Sequence, residues 1–414
     1  MTQRALPLEP TGTARARPDV RFIRRVVLKN YRSIAGCDLT LGELTFLVGP
    51  NGSGKSNFLD GLRLIGDALR TSLDHALRDR SGISEVRRRS GGHPTHFGVR
   101  VDFGLANGHL GHFAFEVGAR SNGGFDVREE ACTIGDDHYR VHQGRLVVKP
   151  AEIAPPASAD RLYLVNAAGL PRFREVFDAL SHMGFYNLNP DRMRALQTPD
   201  VGELLTRDGS NLASVLDRLA RTQPLVKRRI EEYLAKVVPG IDGVDAKRVG
   251  HMETVEFRQR VEGQKDAWRF PAINMSDGTL RALGILIALF QHAASESAPL
   301  VGIEEPEVAL HPAAAGVLLD ALREGSRQVQ VLVTSHSPDL LDDPNIDSDA
   351  IIAVTATEGR SALGAVDEAT RSALRDRLYT AGELLRTDQL RPDAEAIASA
   401  EGRQLKLFES GDAE

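Results

Sequence analysis

The chain carries only two cysteines, Cys37 and Cys132, among 414 residues. Two thiols cannot form a disulfide framework or a zinc cluster, and their scarcity fits a reducing cytoplasm. No apolar run approaches the roughly 18–20 residues that a membrane helix needs, which excludes a helical integral membrane protein. Residues 1–20 contain Pro7, Pro10 and Pro18 but no apolar stretch of the signal-peptide kind. They read as a disordered, partly basic tail. Internal repeats and sustained heptads are missing, so no long coiled-coil arm is expected. A formal charge of −6 gives no global attraction to nucleic acid, and any such contact must come from local patches.

What remains is an ordinary globular composition. With 42% hydrophobic and 26% charged residues, the chain has enough apolar surface to bury a core. Its length allows two or three domains of roughly 150 residues. Phe22 to Ile34 reads as a strand and its exit. Leu44 to Val48 is a short apolar run that stops at Gly49, as a buried strand would. Phe58, Leu62, Ile65 and Leu69 then recur at helical spacing. Residues 97–149 read as short strands separated by Gly, Asn and Asp clusters, and residues 171–236 read as helical. From about residue 278 the pattern alternates: helix 279–292, strand 300–303, helix 313–323, strand 329–334, and a last strand at 350–354. Such alternation predicts a parallel or mixed α/β sheet.

Gly49-Pro50-Asn51-Gly52-Ser53-Gly54-Lys55-Ser56 fits G-x-x-x-x-G-K-[ST] at every fixed position, between an apolar strand and an amphipathic helix. Glycines let backbone N–H groups converge on phosphate oxygens. Lys55 brings a compact charge to the β- and γ-phosphates. The Ser56 hydroxyl is placed to ligate Mg2+, and the helix N-terminus adds a favourable dipole. A glycine-rich turn that happens to carry a lysine would not need this strand–loop–helix context.

Three further elements follow. Leu300 to Glu304 is an apolar strand ending in the carboxylates Glu304 and Glu305. Beside a phosphate loop such a pair divides its work: Glu304 in the Mg2+ shell, Glu305 on the attacking water. Away from one they would be solvated loop charges. Val331 to Thr334 is a second apolar strand, closing on Ser335-His336-Ser337-Pro338. His336 is then within reach of the γ-phosphate or the water if the two strands are neighbours; a lone strand-end histidine is otherwise structural. Met275-Ser276-Asp277-Gly278-Thr279 opens an apolar helix. Ser276 and Gly278 there make a second anion site, unless Ser276 or Asp277 simply caps the helix.

In this order the four elements resemble an ABC-type ATPase head of the RecF/SMC/OLD group. The opening Leu28-Lys29-Asn30-Tyr31-Arg32-Ser33-Ile34 matches how such heads begin. The resemblance covers about residues 21–385. It implies an α/β P-loop NTPase head of ABC type, with a mixed β-sheet, an antiparallel β subdomain and a compact helical lobe. Residues 21–170 would hold Walker A and the β subdomain, and 171–265 the helical lobe. Residues 266–385 would hold the remaining motifs, and 386–414 a polar tail. The cofactors implied are ATP and Mg2+. Walker A would comprise Gly49, Asn51, Gly52, Ser53, Gly54, Lys55, Ser56 and Asn57. Ser276, Asp277 and Gly278 would be the signature that faces the nucleotide of a second copy. Glu304 with Ser56 would hold Mg2+, Glu305 would be catalytic, Val308 to Pro312 would be the D-loop, and His336 the switch histidine.

The departures are specific. Glu304 stands where an Asp is usual, and Asp277 where the signature has Gly. The glutamine loop has only Asn187 or Asn189 as stand-ins. No TOPRIM-like nuclease domain has room after His336.

The resemblance also implies partners: an ATP-sandwiched homodimer, and DNA, in double-strand break repair, recombination or genome maintenance. Local support for DNA comes from Arg15, Arg17, Arg21, Arg24, Arg25, Lys29 and Arg32, and from Arg87-Arg88-Arg89. A solvated charged surface explains the same residues. Arg32 has a further reading as a nucleotide contact. Gln404-Leu405-Lys406-Leu407-Phe408 resembles the peptide by which bacterial proteins dock on the replicative sliding clamp; the alternative is docking on its own head. A second function is an ATPase sensor of an anti-phage defence system that controls an effector. A transporter subunit is disfavoured by the long insertion between Walker A and signature, and a GTPase by the lack of Asn-Lys-x-Asp.

Overall fold

The fold is described from a computed structural model, for residues 21–90, 94–151, 154–291, 299–402 and 405–408. Five short segments that are apolar almost throughout pair side by side in parallel: Gly184–Tyr186, Leu300–Glu304, Gln330–Ser335, Leu44–Val48 and Ile351–Thr357, in that spatial order. Both faces of these strands are covered, which is why they read as continuous apolar runs rather than alternating ones. Arg360–Ala365 returns antiparallel to Ile351–Thr357. It meets Ile34–Thr40 in parallel at one residue pair, Ser361 with Ile34. From there the sheet is antiparallel through Ile23–Tyr31, His96–Gly104, Leu110–Ala119, Phe125–Ile134, Asp137–His142 and Arg145–Val148. Thirteen strands thus form one mixed sheet, as the α/β reading requires.

Strand alternation sorts the core into two clusters on opposite faces. Leu47, Leu332, Ile352 and Val354 face the cluster that contains Phe58, Leu62, Ile65 and Leu69 of helix Lys55–Arg70. Phe46, Val48, Val331, Val333 and Ile303 face the cluster built on helices Asp277–Phe290 and Ala315–Gly325. The buried Gln330 side chain joins the two parts of the sheet. It accepts from Ile23 N at 2.8 Å and donates to Ile23 O at 2.7 Å and Gly42 O at 2.8 Å.

Segment 171–265 is less helical than its charge pattern predicts. Helices Pro171–Ser181, Pro190–Arg194, Leu212–Thr222 and Pro224–Val237 are present. Gly184–Tyr186, however, is the edge strand of the main sheet. Ile241–Val249 and Met252–Gln259 pair antiparallel and are joined by Trp268–Pro271 in a separate three-stranded sheet. Alternation explains the hairpin: Val255 and Phe257 point into the core, while Glu256 between them pairs with Lys247 and Arg269 on the flanking strands.

Residues 405–408 are packed on the sheet rather than loose. Leu405 and Leu407 lie over Gly36 and Gly98, which have no side chain to hold them off. Leu407 is 3% exposed and its carbonyl accepts from Arg100 Nη1 at 3.1 Å. The Arg140 guanidinium sits over the Phe408 ring. Of the two readings of this peptide, docking on its own head is the one the fold holds; Gln404 lies outside the described residues. Cys37 and Cys132 are buried and unpaired with one another, and burial pushes the Cys37 thiol up to about 12. No helix among the described residues is long and apolar enough to cross a membrane.

Glu130 is a buried carboxyl in the antiparallel region. It accepts from Tyr139 Oη at 2.7 Å, Tyr163 N at 2.5 Å and Leu164 N at 2.8 Å. Burial outweighs these donors and pushes it up to about 7 from an ordinary 4.5. A raised carboxyl keeps a proton in the folded state that the unfolded chain releases. Its contribution to stability is therefore full below about pH 4.5, is lost as pH rises toward 7, and is flat above. Between pH 5 and 8 the loss should be roughly 2–3 kcal/mol. Urea unfolding of the wild type and Glu130→Gln at both pH values checks this: the wild type should lose that much relative to the variant.

Candidate active site

Parallel register brings the motif residues to one end of the sheet. Val48 pairs with Ser335, and Glu304 with Thr334, so the chain leaves all three central strands side by side. Gly49, Glu305 and His336 follow directly.

The loop after Val48 has the geometry of an anion cradle. Gly52 and Gly54 have φ of 76° and 109°, which side chains disfavour. Helix Lys55–Arg70 starts at Gly54 with no side-chain cap and no acid in its first turn. Its first N–H groups are therefore left for an external anion. Lys55 Nζ donates back to Gly49 O at 2.8 Å and Pro50 O at 3.0 Å. Burial lowers the Lys55 pKa, and the nearby Glu305 and Glu307 charges oppose that effect. Ser53 Oγ is buried without a hydrogen-bond partner. An orphaned hydroxyl, an uncapped helix start and a buried ammonium all fit a bound polyphosphate. Ser56 is exposed and shares a cleft of about 130 Å3 with Asn57, Arg32, Asp60, Arg207 and Glu304. A hydroxyl and a carboxylate in one cleft fit a Mg2+ site made of hard oxygen donors.

Glu305 sits at φ 45°, a strained setting for a residue with a Cβ. Its N–H donates to Thr334 O at 3.0 Å and Thr334 Oγ1 at 3.2 Å, which turns the chain sharply off its strand. Its Oε1 lies 3.2 Å from His336 Nδ1, without hydrogen-bond alignment. Glu307 holds the histidine loop. Its Oε1 accepts from Ser335 Oγ at 2.7 Å and from His336 N at 3.2 Å.

Ser276 to Gly278, the stretch that resembles a signature, are arranged differently. Ser276 caps helix Asp277–Phe290 by accepting from Thr279 N at 3.2 Å, and Asp277 is ion-paired with Arg194. Self-capping thus occupies the hydroxyl that the sequence reading assigned to an anion. Gly278 lies against the turn that follows Glu305: a Cβ there would be 2.3 Å from Ala309 O. Ser276 and Asp277 are exposed, on the sheet face opposite helix Lys55–Arg70. Of the glutamine-loop stand-ins, Asn189 caps the short helix Pro190–Arg194. Asn187 N donates to Arg207 O.

The sequence reading missed several members. Arg207 donates to Glu304 Oε1 at 2.8 Å, and nothing in its surroundings marks it. Glu307 was visible as a third carboxylate in the Glu304–Glu307 run. Asn57 Nδ2 donates to Ser33 Oγ at 2.6 Å, and Ser33 Oγ is 2.7 Å from Ser361 Oγ, a link between distant segments. Asp60 takes Tyr31 Oη at 2.8 Å, Arg80 Nε at 3.0 Å and Arg32 Nη2 at 2.8 Å. Burial disfavours its charge, but Arg80, Arg63 and Arg32 outweigh that and hold its pKa below the usual range.

A family model described as "AAA domain, putative AbiEii toxin, Type IV TA system" matches residues 44–120 and 151–342, more than half of the chain. The chain belongs to this AAA_21 family. It is an ATPase-family protein with the P-loop head fold of ABC and SMC proteins. The structure of an Smc head bound to the C-terminal winged-helix domain of ScpA is 16% identical, with a TM-score of 0.55, over 84% of this chain and 99% of that one. An Smc head with an extended coiled coil from Pyrococcus furiosus, bound to the C-terminal domain of ScpA, is 13% identical, with a TM-score of 0.55, over 86% and 99%. At such identity the likeness is one of fold. No curated protein matches.

Gly54 offers a direct check on the cradle. A Cβ there would be 2.1 Å from Ser361 Oγ, at a φ that alanine resists. Gly54→Ala should lose ATP binding and lower the unfolding free energy by about 1–3 kcal/mol. Equilibrium nucleotide binding and urea unfolding read the two effects.

Proposed function

We propose that this chain is an ATP-hydrolysing switch in which two copies close over two ATP molecules. The observation that carries the reading is the meeting of Glu305 and His336 at 3.2 Å, beside an uncapped phosphate loop. The loop N–H groups and Lys55 bind the phosphates. Ser56 and Glu304 are the Mg2+ ligands. Bound Mg2+ would neutralise charge on the β- and γ-phosphates. Glu305 accepts a proton from the attacking water. His336 holds that water or the γ-phosphate, with its main chain fixed by Glu307. The exposed Ser276–Gly278 turn faces the nucleotide of the other copy, so hydrolysis removes contacts that hold the dimer.

What the switch controls is best read as a protein effector in a defence or toxin–antitoxin setting, which the family's description favours. Charge pairing supports this choice. Arg25 is bound to Asp38 and Asp102, Lys29 to Glu116, Arg32 to Asp60 and Arg89 to Glu85. Basic residues already paired with carboxylates give little net attraction to phosphate backbones. DNA repair or genome maintenance is the second reading, carried by the resemblance to RecF- and SMC-type heads. Sliding-clamp docking through Leu405, Leu407 and Phe408 would first have to peel the peptide off its own sheet.

Lys55→Ala should bind no ATP. Glu305→Gln should bind ATP, lose at least about a hundredfold in turnover, and accumulate as a dimer with ATP. Phosphate release and light scattering on a sizing column check both, and wild-type turnover in Glu305→Gln would remove Glu305 from the mechanism. Duplex DNA separates the two settings. Turnover should be indifferent to it, whereas stimulation that weakens with salt would favour the repair reading.

A further inference from the structure

Two arginines of one connecting segment each hold a carboxylate of a motif stretch. Arg207 pairs with Glu304, and Arg194 pairs with Asp277 at the start of helix Asp277–Phe290. The segment between strand Gly184–Tyr186 and helix Leu212–Thr222 is tied together internally. Asn187 N donates to Arg207 O at 2.9 Å and Asn189 N to Asp208 O at 3.1 Å. Thr206 N donates to Asn211 Oδ1 at 2.8 Å. Arg207 and the 187–194 stretch are therefore linked in one hydrogen-bonded piece.

The two partners of the Glu304 pair differ in setting. The Glu304 side chain is 16% exposed and that of Arg207 47%. A carboxylate so withdrawn from water needs a cation beside it, while an arginine at the cleft mouth can swing into solvent at small cost. Glu304 is also the carboxylate that shares its cleft with Ser56. Two cations cannot both sit against it in about 130 Å3 without repelling one another.

We infer that Arg207 is the counter-cation Glu304 carries until Mg2+ and nucleotide arrive. Their arrival displaces it and shifts the 187–194 segment that Arg194 ties to the signature helix. Arg207 is on this view a positioning residue that couples metal loading to the surface facing the second copy. The inference rests on the nucleotide-binding reading above.

The test is equilibrium binding of a fluorescent ATP analogue to the full chain as Mg2+ is titrated, in wild type, Arg207→Ala, Arg207→Lys and Lys55→Ala. Thermal unfolding controls for folding. Arg207→Ala should lower the half-saturating Mg2+ about three- to tenfold and leave binding in excess chelator unchanged. Arg207→Lys should fall between it and the wild type. An unchanged or higher Mg2+ midpoint in Arg207→Ala, or weaker metal-free binding, overturns the inference alone, the last because Arg207 would then be touching phosphate. A wild type that binds no nucleotide, or a Lys55→Ala that binds like wild type, overturns the nucleotide reading and this inference with it. Amide exchange across 187–194 should rise with Mg2+ and nucleotide in the wild type and be high from the outset in Arg207→Ala. Unchanged wild-type exchange overturns the transmission step.

Discussion

The parallel register of Leu300–Glu304, Gln330–Ser335 and Leu44–Val48 is the constraint on which the rest depends. Each strand is short, apolar on both faces and followed at once by polar residues. Aligning them residue for residue stacks three strand ends along one edge. A phosphate loop, a pair of carboxylates and a histidine from positions 49, 304, 305 and 336 are thereby collected by the register of the sheet itself. A slip of one residue would turn Val331 and Val333 out of one core cluster and into the other. Burial on both sides thus fixes the site's geometry as a by-product of fixing the sheet.

Two helix N-termini lie near this edge, and they are built for different purposes. Helix Lys55–Arg70 begins at a left-handed glycine, uncapped and without an early acid. Its free N–H groups have an energetic demand that only an anion or water can meet. Helix Asp277–Phe290 begins with Ser276 bonded to Thr279 N and with Asp277 in its first turn. It is satisfied within the chain, and its dipole is already faced by a carboxylate. One helix start is therefore primed for phosphate alone, while the other presents a finished, exposed turn suited to a surface contact.

The charges follow the same economy. Several basic residues that stand out in the sequence are matched by acids on neighbouring elements, as with Arg25 against Asp38 and Asp102 or Arg229 against Glu324. Such pairing ties strand to strand and helix to helix across the fold. The C-terminal peptide obeys similar logic. Leu405 and Leu407 gain contact with a bare strip of sheet over Gly36 and Gly98, so the apolar side chains that looked like bait are covered.

Local order determined a good deal of this protein. The strands at 44–48, 300–304 and 330–335, the helix carrying Phe58, Leu62, Ile65 and Leu69, and the phosphate loop were all legible. Each is a contiguous pattern whose physics is local: apolar runs, helical spacing, glycines before a lysine. The hairpin Ile241–Val249 with Met252–Gln259 was not, because alternation over a few residues is easily masked by charges that suit helices as well. Arg207 beside Glu304, Glu307 beneath His336, Ser361 against Ser33 and the docking of Leu407 were decided only by the tertiary structure. These contacts join residues that lie tens to hundreds of positions apart in the chain. A side chain's partner is set by the sheet order and by the cost of burying charge, neither of which is written in the residues next to it.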